Sequence, residues 1–336
     1  MEKINTESRR VTANVKTQER DEWIRTLTDL MQDQSVRPKP IIEKGILNEG
    51  SMLLVHGKPK TKKSMLVKNM ALCLANGSPW IGFKVYSPQR VLYIQAELPP
   101  YALKTRFKSM ISTMDIERFG NDVLVTSATS RDLSSQEKLD EISNEISSHN
   151  VDVIIVDPLV DFHRAGNEND NLQMSAVMRG FRTLNQMCNT SMVIVHHDGK
   201  DPFKSGGDSS RGASAIFGAV DADISIKEFG GEQAYTLTFK LRHDECIDPV
   251  RLQFDKSDLT FKTELNQKIE ILNAVVRQQQ PVSRLDLVSH FKVKPGFSKS
   301  SVYEMVNAQL RAGNLIELKK GLIALPEFQF PRVDQE

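Results

Sequence analysis

Met52-Leu53-Leu54-Val55-His56 runs directly into Gly57-Lys58-Pro59-Lys60-Thr61-Lys62-Lys63-Ser64, and Met65-Leu66-Val67-Lys68-Asn69-Met70-Ala71-Leu72-Cys73-Leu74-Ala75 follows. The first stretch is an apolar run of strand length, and the last has the apolar positions of a buried helix. Between them lies a loop that opens on glycine and closes on Lys-Ser, the layout of a phosphate-binding Walker A loop. Successive backbone N–H groups and the positive helix end surround polyphosphate in such a loop. Lys63 is then expected at the β- and γ-phosphates and the Ser64 hydroxyl at Mg²⁺, with Gly57, Lys58, Pro59, Lys60, Thr61, Lys62 and Met65 completing a cradle for ATP. One position departs from the pattern: Lys62 stands where the motif carries its second glycine. A side chain there crowds the nucleotide or demands an unsuitable φ, although a basic group beside phosphate is electrostatically favourable. The plain alternative is a strand-turn-helix with a solvated Lys-rich turn.

The chain has 336 residues, enough for about two domains with a real core. Lys and Arg number 44 against 43 Asp and Glu, so the net charge of +1 excludes a generally basic nucleic-acid coat; any DNA contact must come from a local patch. Cys73, Cys188 and Cys246 show no metal-ligand spacing and read as reduced core or near-core thiols. No apolar stretch approaches a membrane span and no signal-type run opens the chain, so a cytoplasmic protein without membrane contact is expected.

Residues 1–40 divide into a polar tail and an amphipathic helix over Glu19–Gln34, where Trp23, Ile24, Leu27, Leu30 and Met31 form one stripe that packs on its own domain or on a neighbouring subunit. Beyond the phosphate loop, Arg90–Glu97 is a second buried strand. Glu97 at its C-terminal end occupies the edge where ligands bind in doubly wound sheets, and a carboxylate there orients and deprotonates water attacking a γ-phosphate. Val151–Asp157 is a nearly continuous apolar strand ending in Asp157, placed to reach Mg²⁺ through Ser64 or water. A further strand, Ser191–Val195, ends in His196-His197; adjacent strand residues face opposite ways and cannot easily chelate one ion, so one imidazole is expected to sense the γ-phosphate. The glycine-rich segment that follows carries Lys200 and Lys204, candidates for DNA contact, and ends at Arg211. Strands over 222–226, 234–240 and 250–263 then close the sheet.

Taken in order, GKPKTKKS, YIQAELPP, VIIVDPLVDFH, VIVHHDGK and SSRGASAIFGAVDA make residues 41–263 resemble the RecA-fold ATPases of the AAA_25 type, which include hexameric RepA-like replicative helicases. The resemblance implies an α/β RecA-like core, ATP with Mg²⁺, a ring-forming homo-oligomer, and single-stranded DNA at the ring loops. It implies Lys63 and Ser64 at phosphate and metal, Glu97 as catalytic base, Asp157 as the metal acid and His196 or His197 as sensor. It places Arg211 at the nucleotide of the next subunit, with Lys240 and Arg242 as further candidates. Lys62 bears on turnover more than on binding.

From residue 264 to 327 the pattern is that of a winged helix-turn-helix: a helix stopped near Pro281, a helix capped by Ser283, a third capped by Ser298, and a hairpin with a Lys-Lys-Gly tip. Residues 265–325 hold nine Lys and Arg against four Asp and Glu, a local +5 in a balanced chain. Lys299, Ser300, Ser301 and Tyr303 lie early in the recognition helix for duplex DNA, with Lys319 and Lys320 on the wing for phosphates; the alternative is a protein-docking module. Residues 328–336 form a tail. The leading expectation is an ATP-driven helicase or DNA remodeller of a plasmid, phage or mobile element; the rivals are an ATP-gated DNA-binding regulator and a recombination mediator.

Overall fold

The computed structural model describes residues 24–95, 97–114, 116–117, 119, 122–126, 136–162, 171–198, 213–229, 233–244, 246–292, 297–311, 313–318 and 321–329. The chain forms two units, Met1–Arg37 and Pro38–Glu336. The described part of the first holds α1 (Leu27–Gln32), none of whose residues is buried. Residues 19–23 of the expected helix lie outside the described residues; α1 itself is capped by Thr26, whose side chain accepts from the Asp29 N–H while the Asp29 carboxylate accepts from the Thr26 N–H.

The second unit begins with the antiparallel pair β1 (Pro40–Ile42) and β2 (Leu47–Asn48). Its centre is a nine-stranded sheet. Six strands run parallel: β3 (Met52–Gly57), β4 (Val91–Gln95), β5 (Val123–Val125), β6 (Val153–Asp157), β7 (Ser191–His197) and β8 (Ala222–Glu228). The strands β9 (Ala234–Leu241), β10 (Val250–Phe254) and β11 (Phe261–Thr263) extend it antiparallel, giving the order β11-β10-β9-β8-β3-β7-β6-β4-β5. Helices α2 (Lys63–Asn76), α3 (Pro100–Ile111), α4 (Gln136–Ser148), α5 (Asn171–Cys188) and α6 (Ala213–Ala219) connect the strands.

Strand periodicity divides the core between the two faces of the sheet. Leu53, Val55, Val153, Ile155, Val193 and Val195 pack with Leu66, Met70 and Leu74 of α2. Their neighbours Met52, Leu54, Ile154, Val156, Met192 and Ile194 pack with Leu139, Ile142 and Ile146 of α4, with Met178 and Phe181 of α5, and with Ile216 of α6. Each strand is therefore buried on both faces, which is why it reads as an unbroken apolar run. This is the mostly parallel, doubly covered sheet of a RecA-like core.

With no intervening residue after β11 come α7 (Glu264–Gln279), β12 (Val282–Ser283), α8 (Arg284–Phe291), α9 (Lys299–Arg311), β13 (Ile316–Leu318) and β14 (Leu322–Ala324). The last strands form a small antiparallel sheet in the order β12-β14-β13, and Leu272, Val276, Leu287, Phe291, Val302, Val306 and Ile323 fill a core of their own. Ser283 and Ser298 cap α8 and α9 as expected, accepting from the N–H of Asp286 and of Ser301. Among the described residues no helix is long and apolar enough to cross a membrane. Cys73 is buried and Cys188 half-buried, but Cys246 is exposed, contrary to the expectation of three core or near-core thiols.

One buried side chain fastens α2 to the far end of the sheet. Asn69 donates to the Leu259 carbonyl at 3.3 Å and accepts from the Phe261 N–H at 3.2 Å. Asn69→Ala leaves both backbone groups unpaired and is expected to destabilise the unit by about 1–3 kcal/mol, read from the denaturant midpoint.

Candidate nucleotide-binding site

The loop after β3 turns at the C-terminal edge of the parallel strands. Gly57 is required sterically: a Cβ on it would stand 2.5 Å from the Ile226 carbonyl oxygen and 3.1 Å from Thr61 Oγ1. Thr61 closes the loop by donating to the Lys58 carbonyl at 2.8 Å. Lys63, buried at the first position of α2, donates to the Gly57 and Lys58 carbonyls at 2.8 Å each. The ammonium thus spans the loop mouth, bonded to groups that phosphate oxygens can replace. Burial pushes its pKa from 10.5 down to about 8, against the opposing pull of Asp198, Asp157 and Glu97.

Lys62 does adopt a left-handed backbone, with φ 66° and ψ 18°, as the N-cap of α2. Its carbonyl accepts from the Met65 and Leu66 N–H groups. The crowding is relieved by direction: its Nζ lies over the Phe254 ring of β10, 5.2 Å from the centroid.

Ser64 and Asp157 meet. The Ser64 hydroxyl donates to Asp157 Oδ1 at 2.9 Å, across 93 residues of sequence. A serine hydroxyl beside a carboxylate is a hard-oxygen donor set that fits Mg²⁺. The opposite oxygen, Oδ2, is occupied by two side chains that sequence reasoning passed over. Tyr93 donates its hydroxyl to Oδ2, and Lys68 Nζ lies 3.3 Å from the same oxygen and donates to Tyr93 Oη at 2.6 Å. The visible signal was a single charge inside the apolar run of α2. Burial lowers the pKa of Lys68 and raises that of Tyr93 well above its ordinary value.

Glu97 is exposed just beyond β4, and its charge acts on Lys63, Lys68 and Tyr93. The turn that carries it is braced by buried Gln95, whose side chain accepts from the Leu98 N–H at 2.7 Å and donates to the Leu98 carbonyl at 3.0 Å. His196 and His197 are the last two residues of β7; both are half-buried, and they line a cavity of about 260 Å³ with Pro59, Pro158 and Val160. Burial drives the His196 pKa down to about 4, so it presents a neutral imidazole at neutral pH.

His56, the residue before Gly57, was also missed. It pairs in register with His196, and its Nδ1 lies 2.8 Å from Asp198 while its Nε2 lies 3.2 Å from Asp223. Burial alone lowers its pKa, but the two carboxylates outweigh it and the value rises above 6.5.

Other expected site residues lie elsewhere. Asp223 of β8 pairs with Lys240, and β9 runs antiparallel, so Lys240 and Arg242 stand at the sheet edge opposite the phosphate loop of their own chain. Arg242 donates there to the Gly218 carbonyl at 2.8 Å. Lys299 and Ser300 are exposed at the start of α9, and Tyr303 is half-buried. Ser301 instead faces a groove of about 740 Å³ that it lines with Arg251, Glu304 and Arg311, and its hydroxyl donates to the Ser298 carbonyl. Arg211, Lys200, Lys204, Lys319 and Lys320 lie outside the described residues.

The profile of the AAA_25 family, described as an AAA domain, matches residues 17–202. Among curated proteins none matches the sequence. Among solved structures the ATPase domain of G40P is similar, at 11% identity with a TM-score of 0.50, over 64% of this chain and 84% of that one. A KaiC-like protein from the hyperthermophilic archaeon Pyrococcus horikoshii OT3 shares 13% identity with a TM-score of 0.47, over 68% of this chain and 99% of its own. At 11% identity the likeness to G40P speaks for the fold.

Two outcomes follow from the loop itself. In EDTA, nucleotide affinity is expected to hold steady from pH 7 to 8 and then fall, by at most roughly tenfold per pH unit, because polyphosphate binds the protonated Lys63 and the free protein loses that proton near pH 8. A fluorescent-nucleotide titration that stays flat to pH 9.5 refutes this role. Lys62→Gly relieves the left-handed backbone but gives up the Phe254 contact, so stability should stay within about 1 kcal/mol of the parent. Nucleotide turnover in that variant should be retained or raised, as steady-state hydrolysis measures.

Proposed function

The chain belongs to the AAA_25 family, and from that premise we propose that this RecA-like P-loop ATPase hydrolyses ATP with Mg²⁺ to act on DNA, as a ring-forming, hexameric helicase or remodelling motor in replication of a plasmid, phage or mobile element. The observation that carries the reading is the Ser64–Asp157 hydrogen bond of 2.9 Å at the strand edge where Lys63 spans the loop mouth. Strand, loop and helix there assemble an anion cradle beside a metal-type oxygen pair.

In this reading Lys63 and the loop N–H groups hold the β- and γ-phosphates. Ser64 and Asp157 hold Mg²⁺, which supplies charge neutralisation on the phosphate oxygens. Glu97, exposed at the next strand end, orients and deprotonates the attacking water. His196 and His197, beside Pro59 of the loop, sense the γ-phosphate. Arg211 completes the site of a neighbouring subunit. Lys240 and Arg242 are further candidates for that task in trans, in keeping with their place at the opposite sheet edge. Residues 264–327 act as a winged helix that meets duplex DNA through Lys299, Ser300 and Tyr303 and through Lys319 and Lys320 of the wing, while Lys200 and Lys204 meet single strands. The backbone at Lys62 favours a second reading, an ATP-gated DNA-binding regulator with slow turnover.

Glu97→Gln separates binding from chemistry. The variant should bind ATP and DNA like the parent and lose steady-state hydrolysis, which in the parent should rise with single-stranded DNA while the native mass with ATP reports the ring. Equal hydrolysis in variant and parent removes Glu97 from the mechanism. A parent with no DNA response favours the regulator.

A further inference from the structure

Lys68 is an ammonium in the core. It is 1% exposed, midway through the face of α2 that packs on the sheet. A buried ion pair is weak support for stability, since apolar residues of similar volume usually serve as well or better. Its contacts give another reason for it. The three donors of Nζ meet Ser64 O at 3.3 Å, Tyr93 Oη at 2.6 Å and Asp157 Oδ2 at 3.3 Å. It therefore touches both residues read as metal ligands. Tyr93 completes the ring of bonds by accepting from Lys68 and donating to Asp157 Oδ2. Its own ring is fixed edge-on against Phe107, with centroids 5.8 Å apart, and the Lys68 ammonium lies 4.7 Å from the Tyr93 centroid.

We propose that Lys68 and Tyr93 are positioning residues for Asp157: they saturate Oδ2 of its carboxylate, so that Oδ1 alone is presented, beside Ser64, to the divalent cation that accompanies nucleotide. The inference rests on the nucleotide reading above and adds to it the device that orients the metal acid. Groups behind a metal ligand fix its rotamer, and losing them weakens metal affinity without touching the metal. Freed of its Oδ2 partners, the Asp157 carboxylate can turn, and the oxygen pair with Ser64 is no longer preset.

The test is the Mg²⁺ dependence of the rise in melting temperature that ADP confers on the full chain, measured beside the affinity for fluorescent ADP in EDTA. Tyr93→Phe keeps the ring and its packing on Phe107. It should leave metal-free ADP affinity within about twofold and raise the Mg²⁺ concentration for half-maximal stabilisation by about tenfold. Lys68→Met should shift it in the same direction. The double variant should shift it by less than the product of the single effects, because both residues act through one carboxylate. At saturating Mg²⁺, kcat should fall in Tyr93→Phe while KM for ATP holds. Should Lys68→Met fail to fold, Tyr93→Phe alone decides. An unchanged Mg²⁺ midpoint in Tyr93→Phe, with only a lower melting temperature, assigns the pair to packing and overturns the proposal. Fully multiplicative effects in the double variant overturn it too. A parent that ADP does not stabilise with or without Mg²⁺ overturns the nucleotide reading itself, a result distinguishable because it appears before any substitution is made.

Discussion

The hydrogen bond between Ser64 and Asp157 joins the first turn of α2 to the last residue of β6, and nothing local to either segment brings them together. What does so is the parallel sheet. β3 and β6 flank β7 in register, so all three end at one edge, and the loop leaving β3 turns back over that edge into α2. Parallel strands need both faces covered, and the two apolar clusters supply that cover. The strands that carry the site therefore rest on a core on either side. The exposed members of the site are Glu97 and Lys58, Pro59 and Lys60 of the loop, and the turn that carries Glu97 is braced by the buried Gln95 amide.

Lys62 shows how a motif position can be filled against its preference. The left-handed conformation costs a non-glycine residue about 1–2 kcal/mol. Its ammonium over Phe254 offsets part of that by about 0.5–1 kcal/mol. The same conformation lets the Lys62 carbonyl accept from two N–H groups of the first helical turn. The glycine of the motif is thus a requirement on φ, and this chain meets the φ with a different residue.

Much of this was legible in the sequence because it is written in short-range patterns. Apolar runs marked the buried strands, Ser283 and Ser298 marked helix starts, and Lys63, Ser64, Glu97 and Asp157 stood at strand or loop ends where chemistry collects. The legible part stopped where a side chain's meaning depends on a partner far along the chain. Lys68 reads as an interruption of an apolar helix until Tyr93 and Asp157 are seen beside it, 25 and 89 residues away. His56 reads as the polar end of a strand until Asp198 and Asp223 enclose it. The capping box at Thr26 and Asp29 escaped notice because the apolar stripe around it drew the eye. The opposite placement of Lys240 and Arg242 follows from the direction of β9, which residue spacing does not encode.

The Asn69 contact gives the junction after the sheet a mechanical character. Asn69 belongs to the same helix as Lys63 and Ser64, and it grips Leu259 and Phe261. β11 begins at Phe261, and α7 starts at the residue after it ends. The C-terminal helices and hairpin thus follow the sheet with no linker residue between β11 and α7. Two hydrogen bonds and one three-residue strand are then the shortest route from the helix that carries Lys63 and Ser64 to the start of α7.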